Sequence, residues 1–196
     1  SPLTMASAYA AFASRGMYCT PIAIESISQK VGGQQKSLEV PKSTCSRAMS
    51  EQTADTVNSL LQGVVDSGTG KEAGLTDRDS AGKTGTTDER RNAWFVGYTP
   101  NLSGAVWVGS ATQKVKMRNI YIGGQYHDLV YGGRVPGPIW RDAMNGALDG
   151  KPDENFNTVH IPEDKPDRGR GDEDADGDEN GNGDGNNGEN VIGGLI

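Results

Sequence analysis

Charge and apolar content change abruptly near residue 150, and only the stretch before that break carries the side chains needed to build a core. Residues 1–150 hold 15 basic and 13 acidic side chains, net +2, whereas residues 151–196 hold 4 basic and 13 acidic, net -9. The first stretch has the length of one ordinary domain, or of part of a larger one. The second is rich in Asp, Glu, Gly and Asn, and from residue 163 it is almost free of apolar side chains until Val191. Such a segment cannot bury enough surface to offset its ordering entropy, so residues 151–196 are expected to be an acidic, disordered tail, with no fixed structure over 163–196. The 196-residue chain as a whole carries a net charge of -7. No basic face is left over for phosphates, so nucleic acid is not an expected partner. No run of about 18 apolar residues is present, so no membrane span is expected within the chain. It opens on Ser1-Pro2 without a Met or a signal peptide. That reads as a cut from a longer precursor, with any targeting segment or membrane anchor upstream.

Cys19 and Cys45 are too few for a disulfide scaffold and lack metal-ligand spacing. They are either two buried thiols or one disulfide closing a loop of about 26 residues, worth roughly 3 kcal/mol in the chain-entropy model. Export would favour the bond.

Periodicity gives the coarse organisation. Leu3, Ala6, Ala10 and Ala13 recur at helical spacing, with Pro2 suited to a first turn and Gly16 to the position past the end, so residues 2–15 are expected to be helical. Ile22 and Ile24 alternate with polar neighbours as a short strand would, and 36–40 is expected to return after a turn at Gly32-Gly33. The clearest helix is 51–66, capped by Ser50, with Ala54, Val57, Leu61 and Val64 on one face and Leu60 and Val65 widening it. Residues 81–87 are small and polar, then 93–99 and 102–109 alternate through Trp94, Val96, Tyr98, Val106 and Val108. Short turns between these segments predict an antiparallel meander. Residues 113–135 read as irregular, and 138–148 as a closing helix.

The chemistry concentrates in Gly82-Lys83-Thr84-Gly85-Thr86-Thr87. A phosphate-binding loop would need Gly at position 77, which is Asp, and a helix starting at Lys83, where Gly85 and two β-branched threonines instead favour a strand. The Lys-Thr-Gly triplet is also the signature of serine acyl-transferases that act on β-lactams and D-alanyl peptides. Its residue types suit that chemistry. Gly85 lets a peptide-like substrate approach a strand edge, Lys83 places a positive charge near a carboxylate, and the Thr84 and Thr86 hydroxyls can donate to it. The Thr86 N–H can face a developing oxyanion. By itself the triplet is a short string, equally at home in an ordinary exposed strand.

The surrounding sequence decides the matter. Asn92-Ala93-Trp94-Phe95-Val96-Gly97-Tyr98-Thr99-Pro100 follows, Ser1-Pro2-Leu3-Thr4-Met5 through Phe12-Ala13 opens the chain, Gly68-Thr69-Gly70 follows the long helix, and Gly132-Gly133 and Pro138-Ile139-Trp140 come late. In order and spacing, residues 1–150 resemble the C-terminal part of the transpeptidase domain of class A, bifunctional penicillin-binding proteins. The two cysteines resemble those of actinobacterial members, which implies a Cys19–Cys45 disulfide. The resemblance implies an α+β fold like that of serine β-lactamases, an antiparallel sheet flanked by helices. It further implies a D,D-transpeptidase that cross-links peptidoglycan stem peptides through a serine acyl-enzyme and is trapped by β-lactams. On this chain, Lys83 and Thr86 would be catalytic, and Thr84, Gly85 and Thr86 would bind substrate. Trp94 is expected to pack on the adjacent strand. No cofactor or metal is implied. The whole protein would lie outside the cytoplasm at the membrane and cell wall, with an upstream glycosyltransferase domain and anchor.

Two further motifs of that family are missing here. No Ser stands two residues before an Asn, and the single Ser-x-x-Lys string, Ser80 to Lys83, overlaps the Lys-Thr-Gly and cannot start a helix. The nucleophile is therefore expected upstream of Ser1, and this chain alone is expected to be inactive. The alternatives are a β-lactamase or D,D-carboxypeptidase, which share the Lys-Thr-Gly strand, and a non-catalytic β-lactam sensor. In the tail, Asp178-x-Asn180-x-Asn182-Gly183 with Glu189 matches a calcium-loop pattern. The surrounding glycines exclude the flanking helices, so it reads as a product of composition. His127 and His160 have no paired ligand in sequence and read as surface residues.

Overall fold

The structure, a computed structural model, describes residues 1–157 and 159. The expected disorder of 163–196, the calcium-like pattern at Asp178–Glu189 and His160 lie outside the described residues.

Local chemistry sets the helix ends. In α1 (Pro2–Ala13) the Ser1 hydroxyl accepts the Thr4 N–H and Pro2 sits in the first turn. The chain then turns left-handed at Arg15 and Gly16, with φ of 53° and 90°. A β-carbon at Gly16 would collide with the Met49 carbonyl, so the helix stops at Ala13, two residues short of expectation. In α2 (Glu51–Asp66) the Ser50 hydroxyl accepts the Thr53 N–H. Asp55, Asn58, Leu61 and Val65 are buried there, whereas Leu60 is 55 % exposed and does not belong to the packed face. Arg15 explains Asp55: its guanidinium donates to both carboxylate oxygens, at 3.1 and 2.8 Å, and ties the end of α1 to α2. Asn58 is a second tie, since its amide donates to the Phe12 carbonyl and accepts from the Tyr98 hydroxyl at 2.8 Å.

Between these helices, β1 (Met17–Cys19) pairs with β4 (Cys45–Arg47), and β2 (Ile27–Val31) forms an exposed hairpin with β3 (Gln34–Leu38) around Gly32-Gly33. A disulfide joins Cys19 to Cys45, which face each other across β1 and β4 with Cα atoms 4.0 Å apart. The strand expected at Ile22–Ile24 is not formed. Pro21 has no N–H to continue the pairing, and both isoleucines are about half exposed.

The centre is an antiparallel sheet of β5 (Ala81–Thr86), β6 (Asn92–Thr99) and β7 (Leu102–Gly109), the meander read from the alternation. Ala81 and Tyr98 on one face pack with Leu61 and Phe156, and Tyr9 and Phe12 of α1 complete the cluster. The other face carries Phe95, which packs with Trp140, Met144 and Leu148 of α3 (Pro136–Leu148). Gly82, Gly97 and Gly104 lie opposite one another on that face. They form a trough for two aromatic rings. A β-carbon at Gly97 would stand 2.7 Å from both Phe95 and Trp140, and one at Gly104 would stand 3.1 Å from the Trp140 ring nitrogen. The Trp140 N–H donates to the Gly97 carbonyl at 3.1 Å.

Two expectations are corrected. Residues 113–135 are not all irregular. They contain the hairpin β8 (Arg118–Ile122) and β9 (Gln125–Leu129) around Gly123-Gly124, whose exposed faces weaken the alternation signal. Nor does the packed chain end at 150. Phe156 is 6 % exposed, its ring meets Tyr98 edge-on at 5.5 Å, and its N–H donates to Asp79 at 3.0 Å. Charge placed the boundary too early because one aromatic side chain outweighs several solvated carboxylates. Phe156→Ala is expected to destabilise the domain by about 3 kcal/mol, the usual cost of emptying a buried aromatic site. An unchanged melting temperature would return the end of the fold to residue 150.

Candidate active site

β5 is an edge strand among the described residues, and it carries the Lys-Thr-Gly triplet. Strand alternation splits the triplet between the two faces of the sheet. Lys83 and Gly85 fall on the α1 face, opposite Val96 and Trp94. There they line a groove of about 410 Å³ with Ser1, Met5 and Tyr9 of the α1 end. Thr84 and Thr86 fall on the α3 face, and both hydroxyls are engaged. Thr84 Oγ1 lies 2.8 Å from Thr69 Oγ1, and Thr86 Oγ1 accepts the Gly132 N–H at 3.1 Å. The same strand edge thus presents a cation from one side and hydroxyls from the other.

Lys83 is half-buried, and its ammonium donates to the Thr84 carbonyl at 3.3 Å. Among the described residues no carboxylate lies within ion-pair distance of it. A half-desolvated ammonium without a counter-ion favours an anion at that edge. Gly85 has a packing role beside the expected open approach. A β-carbon there would stand 3.3 Å from the Trp94 β-carbon, so the glycine lets Trp94 lie close to the strand. Trp94 also lines the groove, and its ring meets Trp107 at 6.3 Å.

The triplet is backed by glycine. A β-carbon at Gly132 would collide with the Trp94 carbonyl and stand 2.9 Å from the Gly85 backbone, and one at Gly133 would collide with the Thr69 carbonyl. The preceding Tyr131 is held by Arg90, which donates to its hydroxyl at 2.8 Å and lies 4.8 Å from its ring centre. Arg90 and Glu89 both have φ of 56°, an unusual backbone for residues with side chains. Glu89 is anchored by Arg91 and Lys116, whose hydrogen bond and charge hold its carboxyl below the ordinary range.

Ser80 is buried, and its hydroxyl accepts the Leu75 N–H at 3.1 Å, so it closes a loop. His127 is half-buried in β9, and no cluster of metal-ligating side chains occurs among the described residues. Thr69 and Gly132 carry no chemical signature of their own. In the sequence they stand out only as parts of Gly68-Thr69-Gly70 and Gly132-Gly133.

Comparison with known proteins agrees with this architecture. Residues 1–145 match the family described as the penicillin binding protein transpeptidase domain. Penicillin-binding protein 1A of Mycolicibacterium smegmatis is 38% identical over 161 residues, covering 79% of this chain and 19% of the relative. Penicillin-binding protein 1A of Aquifex aeolicus is 34% identical over 156 residues, covering 80% of this chain and 20% of the relative. The chain therefore spans about a fifth of the length of these relatives. Among solved structures, the penicillin-binding protein PonA1 of Mycobacterium tuberculosis is similar with a TM-score of 0.62 and 31% identity. That match covers 80% of this chain and 41% of that one.

The glycine backing generates a prediction. Gly132→Ala is expected to push β5 off its seat and speed amide hydrogen exchange in that strand by about tenfold or more, since overpacking costs roughly 1–3 kcal/mol. Exchange as slow as in the unaltered protein would mean that the backing does not hold the strand.

Proposed function

The chain belongs to the penicillin-binding protein transpeptidase domain family, and we propose that it supplies the Lys-Thr-Gly wall of a serine acyl-transferase site acting on peptidoglycan stem peptides. The observation that carries this is the half-buried Lys83 ammonium, without an ion pair among the described residues, on an open strand edge flanked by the Thr84 and Thr86 hydroxyls. The stem peptide lies along the free edge of β5, and its terminal carboxylate meets Lys83, Thr84 and Thr86. A similar protein, PonA1, is described in complex with penicillin V, a carboxylate-bearing β-lactam, which supports a site of this kind.

The nucleophilic serine is supplied from outside residues 1–196, because Ser80, the serine of the lone Ser-x-x-Lys string, is buried and already engaged. Its oxygen attacks the carbonyl between the two D-alanines while its proton leaves toward a base. The Thr86 N–H stabilises the oxyanion. The C–N bond then breaks and D-alanine departs with a proton on its amine. An amine of a neighbouring strand next attacks the ester carbonyl, the C–O bond breaks, and the acyl group stays on that amine while the amine's proton returns to the serine oxygen. With a β-lactam the broken amide belongs to a ring, so the leaving amine stays attached and the ester persists. The whole protein acts outside the cytoplasm, where the Cys19–Cys45 disulfide is stable, with its anchor and a glycosyltransferase domain outside this chain.

In the whole protein, Lys83→Ala is expected to slow acylation by a fluorescent penicillin by about 10²–10³, the cost of losing one preorganised charge in a shielded site. Thr86→Val is expected to cost less, since the backbone N–H remains. Residues 1–196 alone are expected to stay unlabelled. Acylation of Lys83→Ala at the unaltered rate would refute the role of this wall, and labelling of the isolated chain would place a nucleophile within it.

A further inference from the structure

The loop leaving α2 brings to β5 a hydroxyl that the reading above does not use. It is pinned on both sides of Thr69: the Gly68 N–H donates to the Gly63 carbonyl at 3.0 Å, and the Gly70 N–H to the Val64 carbonyl at 2.9 Å. Gly70 packs too closely on Phe95 and Val64 for a side chain, with a β-carbon 3.1 and 3.2 Å away. The Thr69 carbonyl is covered by Gly133. The Thr69 side chain itself is exposed, and it touches Thr84 at 2.8 Å.

Two hydroxyls sharing one hydrogen bond hold two protons and use one. If Thr69 donates, Thr84 is polarised and its own proton is free. If Thr84 donates, the free proton is on Thr69. Either way one proton of the pair is left for a third group, and the bond removes rotational freedom from a hydroxyl that would otherwise turn in water. Thr86 is set in the same sense. Its oxygen accepts the Gly132 N–H, which leaves its proton to be donated. Lys83 on one side of the β5 edge and the Thr69–Thr84 pair with Thr86 on the other then flank it with donors, which suits an acceptor with two oxygens and a full negative charge.

We infer that Thr69 is a positioning residue: through its bond to Thr84 it holds a hydroxyl proton ready for the substrate's carboxylate. The inference rests on the acyl-transfer reading above. A purely structural role would be a staple between loop and strand, felt equally by every ligand. The test is the second-order acylation rate of the whole protein by a penicillin and by the same penicillin with its carboxylate esterified. Thr69→Val is expected to slow the free acid about three- to tenfold, the range of one ordinary hydrogen bond, and to leave the ester unchanged. Thr69→Ser is expected to restore the free-acid rate, because it keeps the hydroxyl. Equal slowing of both compounds, or no slowing of either, would overturn the inference. Lys83→Ala measured alongside separates the two levels. If it slows the free acid while Thr69→Val does not, only the role of Thr69 falls. If it slows nothing, the acyl-transfer reading falls with it.

Discussion

The structure depends on the packing of Trp140 and Phe95 into a trough of three aligned glycines. Gly82, Gly97 and Gly104 occupy one level of β5, β6 and β7. A β-carbon at any of them would press on one of the two rings. Bare backbone lets the two rings, tilted 58° to each other with centres 5.2 Å apart, approach the sheet closely, and the indole N–H finds the Gly97 carbonyl instead of being buried without a partner. Trp140 is 1 % exposed and Phe95 fully buried, so the contact lies inside the core. It fixes α3 against the sheet, and with α3 the segment that leads into it.

That segment explains how the candidate site is held. Gly132-Gly133 stands a few residues before Pro136, where α3 begins. Once α3 is seated, the glycine pair is pressed against β5 at Gly85 and against the Thr69 loop. From the other end, the turn after β5 is braced by Glu89 with Arg91 and Lys116, and by Arg90 on Tyr131. The strand that carries Lys83 is thus held along its back and at its turn, while among the described residues its outer edge has no paired strand. Such edges are usually a hazard. Here the α1 groove, a half-buried cation and engaged hydroxyls line that edge, the arrangement on which the proposed function rests. Gly82 and Gly85 belong to the same short motif but serve different surfaces: the first receives the core rings, the second lets Trp94 close on the strand.

Some of this architecture was legible in the sequence because its causes are local. Pro2 stands in the first turn of α1 and Ser50 caps α2, and both are read from residue type next to apolar periodicity, whereas the Ser1 cap emerges only in the structure. The alternation of Trp94, Val96 and Tyr98 placed β6, and the β-branched threonines around Gly85 placed β5 as a strand. The chemistry of Lys-Thr-Gly is likewise a property of residue types in a row. What stayed hidden needed a distant partner. Asn58 looks like a polar position on a helix surface, yet it is 1 % exposed because Phe12 and Tyr98 satisfy both ends of its amide. Leu60 looks like core and points to solvent.

By itself, then, the sequence determined the elements whose signals lie within a few residues: the main helices, the meander with its short turns and the row Lys83 to Thr86. Only the tertiary structure decided which of those residues meet. Thr69 reaches Thr84 across 15 positions, Gly132 reaches Thr86 across 46, and Phe156 reaches Asp79 across 77. The physical reason is one of range. Caps, turns and strand alternation follow from covalent geometry and neighbouring hydrogen bonds. A contact between distant residues forms only when burial elsewhere, here of Trp140 on its glycine trough, brings the two segments to the same place.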